Sequence, residues 1–252
     1  YQVFERKSNF NFSEGYGIQL SVNSIKLLNK LNFNNLSASE VCFPTKVNFF
    51  NSNNPKKICD IDLSQFNDDQ TRYTTTKRST LLKFLLEKIP KEKIKFKVTL
   101  THVEEGENIK VYFSDNSQEY FDFLIIADGI FSQSKSTILN KSFSPKYNNS
   151  IAIRAKLKEC NFENISIFMG SNFHYVTYPI NQNNEYNFVA ILKKKLTTSD
   201  LNYNKNSPKE FKNLLKEILN KNSKIKFENL SEIKAFPVFV SKSFPNIKQK
   251  NI

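Results

Sequence analysis

Cysteine, histidine, glycine and arginine are all scarce in this chain, and each shortage removes a class of chemistry. The cysteines are Cys42, Cys59 and Cys160: odd in number, far apart and in no Cys-x-x-Cys pair. That argues against both a disulfide framework and a zinc site, and it suits a reducing compartment. No stretch approaches the roughly 18 to 20 apolar residues that a membrane-spanning helix needs. The opening residues, YQVFERKSNF, lack the charged, apolar and small-residue zones of a signal peptide, so the expectation is a cytoplasmic protein with no transmembrane segment. The glycines are Gly15, Gly17, Gly106, Gly129 and Gly170, and no arrangement of them gives the dinucleotide fingerprint G-x-G-x-x-G. His102 and His174 are the only histidines. There is no internal repeat and no long low-complexity linker.

The chain has 252 residues, 39% of them hydrophobic and 24% charged, which is ordinary for a soluble globular protein of one large or two small domains. A net charge of +13 invites a nucleic-acid reading, because clustered basic residues release counterions from phosphates. The distribution argues otherwise: apart from Arg6, Arg72, Arg78 and Arg154 every basic residue is lysine, scattered among many asparagines. Solvated lysine faces are the better reading, and no nucleic-acid partner is expected. The same bias makes each arginine informative, since only arginine offers a planar fork for carboxylate or phosphate.

VFER at residues 3 to 6 reads as the end of a strand. Ser21 or Asn23 can cap a helix through Ile25, Leu28 and Leu31. A second helix follows Arg78, with Leu81, Leu82, Leu85, Leu86 and Ile89 on one face and Pro90 closing it. VCFPTKVNFF and KICDIDL read as strands, and residues 94 to 114 as a hairpin around Glu105-Gly106-Glu107-Asn108. Beyond about residue 147, SIAIRAKL, ISIFM, FHYVTYPI and YNFVAILKK have the alternation of an antiparallel sheet. Ser207-Pro208-Lys209-Glu210 then supplies a capping box for a helix through Phe211, Leu214, Leu215, Ile218 and Leu219.

The segment FDFLIIADG, residues 121 to 129, places four apolar residues directly before Asp128-Gly129. Phe123 to Ile126 suit a strand covered on both faces, and the rim where such a strand meets a turn is where ligands collect in open sheets. With EGYGIQLSVNSIKLLNKLNF at residues 14 to 33, this segment resembles, in order and separation, the single-component FAD-dependent aromatic-ring monooxygenases, the salicylate and hydroxybenzoate hydroxylase family. The matching residues are Gly15, Gly17, Ile18, Gln19, Leu20 and Asn23, then Ala127, Asp128, Gly129 and Ser132. VFER, TKRSTLLKFL, IAIRAKL and FMGSNFHYVTYPI extend the likeness in family order over nearly the whole chain.

The resemblance implies an α/β fold: a FAD-binding Rossmann-like domain of the glutathione-reductase type over residues 1–146, carrying β insertions, and an antiparallel substrate-binding sheet domain over 147–252. It implies FAD as cofactor, NADH or NADPH as co-substrate, and O2 with a small aromatic, phenolic acid-like substrate as partners. A homodimer is compatible with it. Glu5 becomes the acceptor of an adenosine ribose hydroxyl, Arg6 its neighbour on the adenine side, and Gln19 a residue close to the flavin ring. Arg78 reaches the FAD, and Asp128-Gly129 lies by its pyrophosphate. His174 and Tyr178, four apart on a strand and so on one face, orient the ring and help remove a phenolic proton.

Departures from the family pattern shape the expectation. Only four residues precede Glu5, where a glycine fingerprint would need about 20, and no later Gly-Asp segment follows SKSFPNIKQKNI. The expectation is an internal fragment lacking the first strand and its glycine turn, inactive on its own and prone to aggregate. Rival readings are an oxygenase of a non-aromatic or polycyclic substrate, a basic nucleic-acid-binding module, or a fragment with no activity.

Overall fold

In the computed structural model the described residues are 1–12, 16–54, 56–158, 160–197, 209–220 and 224–241. Gly15, the Ser207-Pro208 cap and the residues after Ser241 lie outside them. In chain order the elements are β1 (Val3–Glu5), β2 (Gly17–Leu20), α1 (Val22–Asn29), β3 (Val41–Cys42), β4 (Lys46–Asn51), β5 (Lys57–Asp62), β6 (Thr74–Lys77) and α2 (Arg78–Leu86). There follow β7 (Ile94–Phe96), β8 (Leu100–Glu105), β9 (Ile109–Phe113), β10 (Gln118–Phe121) and α3 (Gln133–Ile138). The last are β11 (Lys146–Leu157), β12 (Ile165–Met169), β13 (Phe173–Pro179), β14 (Tyr186–Lys193), α4 (Lys209–Asn220) and β15 (Leu230–Val240).

They form two compact units, each discontinuous in the chain. The first comprises residues 1–11, 89–148 and 239–252, the second residues 12–88 and 149–238.

In the first unit β1 pairs in parallel with β7, as an α/β layer requires, and β8, β9 and β10 form an antiparallel meander. The stretch 94–103, expected as one strand of the hairpin, divides between two, and the second of them runs on to Glu105. Lys97, at φ 60, takes the left-handed conformation between them, which turns the chain out of the β1 pairing and into the meander. Ile109, Val111 and Phe113 alternate inward along β9 and pack with Val98, Phe4 and Leu124. Phe4 stacks on Phe113 at 4.3 Å.

One expectation fails here. Residues 123–126 are not a strand, and they are not covered on both faces: Phe123 is 72% and Ile125 89% exposed. Leu124 alone is packed against the core of this unit. The apolar run carries enough hydrophobicity for two faces, but among the described residues no strand pairs with it, so only one face finds a neighbour.

The second unit is built on a seven-stranded sheet in the order β15-β11-β14-β13-β12-β4-β5. β11, β14, β13 and β12 pair antiparallel in that sequence, as the alternation predicts. β4 then joins β12 in parallel and brings β5 with it, a pairing between distant segments that no local pattern announces. One sheet face carries Ile151, Ile153, Ala155, Phe188, Ala190, Tyr175 and Phe168, packed against Phe211, Leu215, Ile218 and Leu219 of α4. Within the same unit β2, β6 and β3 make a small antiparallel sheet. Beside it, α1 and α2 bury Ile25 and Phe84 in a cluster with Leu20 and Phe33. Helix α2 is amphipathic as expected, but it stops at Leu86, and its buried centre is Phe84, edge-on to Phe33 at 5.1 Å.

Candidate active site

The face of the large sheet opposite the α4 core is where chemistry-bearing side chains collect. Across β11, β14 and β13, Arg154 stands opposite Val189 and Val189 opposite Val176. One step along, Lys156 stands opposite Asn187 and Asn187 opposite Tyr178. Directly opposed residues point to the same face, so Arg154, Lys156, Val189, Asn187, Val176 and Tyr178 share it. Val176 and Val189 are half-buried there, as is Ile167 of β12, and together they give an aliphatic floor.

β2 and the residues before β6 furnish the polar end of this face. The Gly17 N–H donates to Asn187 Oδ1 at 2.7 Å. The approach is close enough that a Cβ on Gly17 would lie 2.6 Å from Asn187 Cβ and 2.8 Å from Tyr178 Cε2, so glycine is required by contact. Two residues on, Gln19 Oε1 accepts from the Tyr73 hydroxyl at 2.8 Å. The Gln19 side chain also lies beside the Tyr178 oxygen. With its carbonyl oxygen taken by Tyr73, only its NH2 group is left to face that oxygen. Burial pushes the Tyr178 phenol up to about 12, against the opposing pull of the Arg154 charge and the Gln19 bond. Tyr178 is therefore a protonated donor over the whole physiological range. The Arg154 guanidinium lies over the Tyr16 ring at 5.7 Å, and the Tyr16 hydroxyl donates to the Glu232 carbonyl at 3.3 Å.

The residues singled out in the sequence divide between the two units. In the second, Gln19 and Tyr178 are brought into contact, whereas His174 is exposed near the start of β13. Four residues of strand, about 13 Å, separate His174 from Tyr178. Arg78 opens α2: its N–H donates to the Tyr16 carbonyl at 2.8 Å, its side chain is exposed, and no acidic partner is found for it among the described residues. In the first unit Glu5 ends β1, and one of its carboxylate oxygens accepts from the Lys7 N–H at 2.9 Å. Arg6 is exposed beside it. Asp128 accepts from the Ser134 N–H at 3.1 Å at the start of α3. Its partial burial raises the carboxyl, but hydrogen bonds from Ser132 and Ser134 outweigh that and hold it below the ordinary range. Gly129, at φ 84, has nothing within 4 Å of where a Cβ would stand, which leaves its backbone open to close approach.

Sequence reasoning did not single out Arg154, Tyr73 or Asn187 as site residues. Arg154 carried a signal, because arginine is rare in a lysine-rich chain. A cavity of about 440 Å³ lined by Asn48, Phe50, Cys160, Phe162, Ser166 and Lys224 lies toward the α4 face and contains none of these residues.

No family model matches the sequence, and no curated protein does. Solved structures do. HpxO of Klebsiella pneumoniae, complexed with FAD and uric acid, superposes with TM-score 0.73 at 14% identity, over 96% of this chain and 62% of that one. The fold is that of the FAD-dependent hydroxylases. The 2,6-dihydroxypyridine-3-hydroxylase of Arthrobacter nicotinovorans gives 0.74 at 15% identity over 94% of this chain and 66% of that one. A salicylate hydroxylase substrate complex gives 0.68 at 13% identity over 91% and 62%. The chain thus spans about two thirds of the length of these neighbours.

Proposed function

We propose that the chain belongs to a flavoprotein monooxygenase that uses FAD, NADH or NADPH, and O2 to hydroxylate a small aromatic, phenolic acid-like substrate. The observation that carries this reading is the hydroxylase fold over nearly the whole chain, together with a sheet face on which a buried phenol, an amide and a guanidinium meet above an aliphatic floor. Bound FAD, reduced by the nicotinamide, would supply the oxygen activation that side chains cannot.

The residues present fit such a cofactor unit by unit. Gly129 offers open backbone, Glu5 keeps a carboxylate oxygen beyond the one bound to Lys7, and Arg78 presents an uncompensated cation at the first turn of a helix, where anions are favoured. Glu5, Arg6, Asp128 and Gly129 are the proposed FAD contacts of the first unit; Gln19 and Arg78 are those of the second. On the substrate side, the Tyr178 O–H, beside the hydrogen-bonded Tyr73–Gln19 pair, donates to a ring oxygen and fixes the ring's orientation. Val176, Val189 and Ile167 exclude water beneath the ring. His174, further along the same face, is the proposed acceptor of a phenolic proton, which makes the ring more electron-rich.

The test uses the protein expressed from its complete reading frame. The expected result is near-stoichiometric FAD and NADH or NADPH oxidation stimulated by a hydroxybenzoate, with a hydroxylated product by mass spectrometry. Purification without flavin, and no quenching of added FAD fluorescence, would end this reading. Arg78→Gln and Glu5→Gln should each weaken FAD binding about 10-fold, the worth of a hydrogen bond to a charged group.

A further inference from the structure

On the α4 side of the large sheet, away from Tyr178, three polar residues stand in a row and do not satisfy one another. Ser166 of β12 lies opposite both Asn48 of β4 and Thr177 of β13. The row shares its face with Phe168 and Phe188, which belong to the apolar core under α4. Asn48 and Ser166 make no side-chain hydrogen bond among the described residues, and Thr177 Oγ1 is buried without a partner. Unpaired polar groups in such a layer are costly. Asn48 and Ser166 instead open into the cavity of about 440 Å³, a volume within the range of small-ligand sites.

The lining of this cavity defines what it would take. Phe50 and Phe162 give apolar wall for a ring. The charged residues among its described lining are one lysine and one glutamate, Lys224 and Glu163, while Asp60, opposite Asn48, is already paired with Lys57. No excess of either sign is left to select an ion, so recognition falls to the neutral groups. The Asn48 carboxamide presents a donor and an acceptor side by side, the edge by which asparagine reads adenine. We propose that this cavity binds a neutral planar heteroaromatic carrying adjacent N–H and C=O groups, the lactam edge of a nucleobase, with that edge on Asn48 and a further contact to the Ser166 hydroxyl. It is a second site, separate from the proposed hydroxylation: Ser166 and Ile167 are consecutive in β12 and so face opposite sides of the sheet.

The probe is 2-pyridone, a single ring with a single lactam edge, titrated into the isotope-labelled protein expressed from its complete reading frame and followed by 1H–15N TROSY spectra. Saturable shifts are expected at the Asn48 side-chain NH2 and the Ser166 backbone amide. N-methyl-2-pyridone keeps the carbonyl and loses the donor, and it should bind about 10-fold more weakly, as for one hydrogen bond lost with its partner left unpaired. Asn48→Ala should weaken 2-pyridone by a similar factor and abolish the preference between the two ligands, and Ser166→Ala should weaken 2-pyridone several-fold. Equal affinity of the wild type for both ligands overturns the proposal, as does an unchanged preference in Asn48→Ala with a native circular dichroism spectrum. A titration that moves only resonances on the Tyr178 face, or none, overturns it as well. The wild-type readings decide the matter even if a variant does not fold.

Discussion

Tyr178 shows how burial and a single amide set the chemistry of one residue. Its phenol ordinarily loses a proton near 10 and here does so at about 12. The protonated form is therefore favoured by the folded state, and the unfolded chain binds fewer protons than the native one between those values. The stability that follows is fully present below pH 10 and lost as pH rises toward 12. Cys42 and Cys160, both raised by burial from 9.0 to about 11, add a loss of the same sign one unit lower. Urea unfolding at pH 8 and pH 11 should show a steep alkaline loss in the wild type and a smaller one in Tyr178→Phe. At this scale the sequence was partly legible. Tyr178 and Gln19 stood out through the family likeness, and the scarcity of arginine marked Arg154 as worth attention. Asn187 and Tyr73 had no local signal, because their importance lies in which strand faces which, and a register between residues 154, 187 and 178 is a long-range fact.

Among the elements, β2 depends most on a single atom's absence. Its four residues pair with β6 while Gly17 lies against Ile180 Cγ2 at 2.7 Å and Asn187 Cβ at 2.6 Å, measured from where a Cβ would stand. Both neighbours are buried: Ile180 is 2% exposed and follows β13, and Asn187 is 1% exposed and lies within β14. Gly17→Ala must push β2 outward, with a cost of about 1 to 3 kcal/mol for overpacking and a lengthened Gly17–Asn187 hydrogen bond. Chemical denaturation read by circular dichroism gives the first quantity. The chemical shift of the amide at position 17, expected to move upfield as its bond to Asn187 weakens, gives the second. Elements with one apolar period were readable in the sequence: β9 and β11 to β14 fall where the spacing places them, and α1 and α2 begin there but end two or three residues early. The failures have a common cause. Residues 123–126 and 94–103 were read from local pattern, but a strand exists only where a partner's backbone completes the ladder, and Lys97 in the left-handed region cuts the second of these runs in two.

Over the whole molecule, burial and backbone pairing are unevenly spread, and protection from exchange should follow them. Phe168, Tyr175, Phe188, Ile153 and Leu215 are essentially inaccessible, and the strands that carry them, β11 to β14, pair on both edges within a seven-stranded sheet. Opening there requires disruption of the largest apolar cluster in the second unit. In the first unit the covered core is smaller, β1 and β7 form only a two-stranded ribbon, and residues 122–129 contribute to no sheet among the described residues. Two-stranded ribbons are marginal in water, and amides outside a ladder exchange through small local fluctuations. Hydrogen–deuterium exchange followed by peptide mass spectrometry should therefore rank β13 and β14 slowest, β9 intermediate, and the peptide covering 122–129 fastest, exchanged within seconds. Salt is a useful second axis. With +13 charges carried almost wholly by dispersed lysines, raising ionic strength should relieve repulsion across the chain without reordering that ranking. A selective slowing confined to one lysine-bearing face on addition of a short DNA or RNA, and lost in salt, would instead favour a polyanion groove. Slow exchange at 122–129 in the protein alone would mean that the apolar run has found a backbone partner in solution.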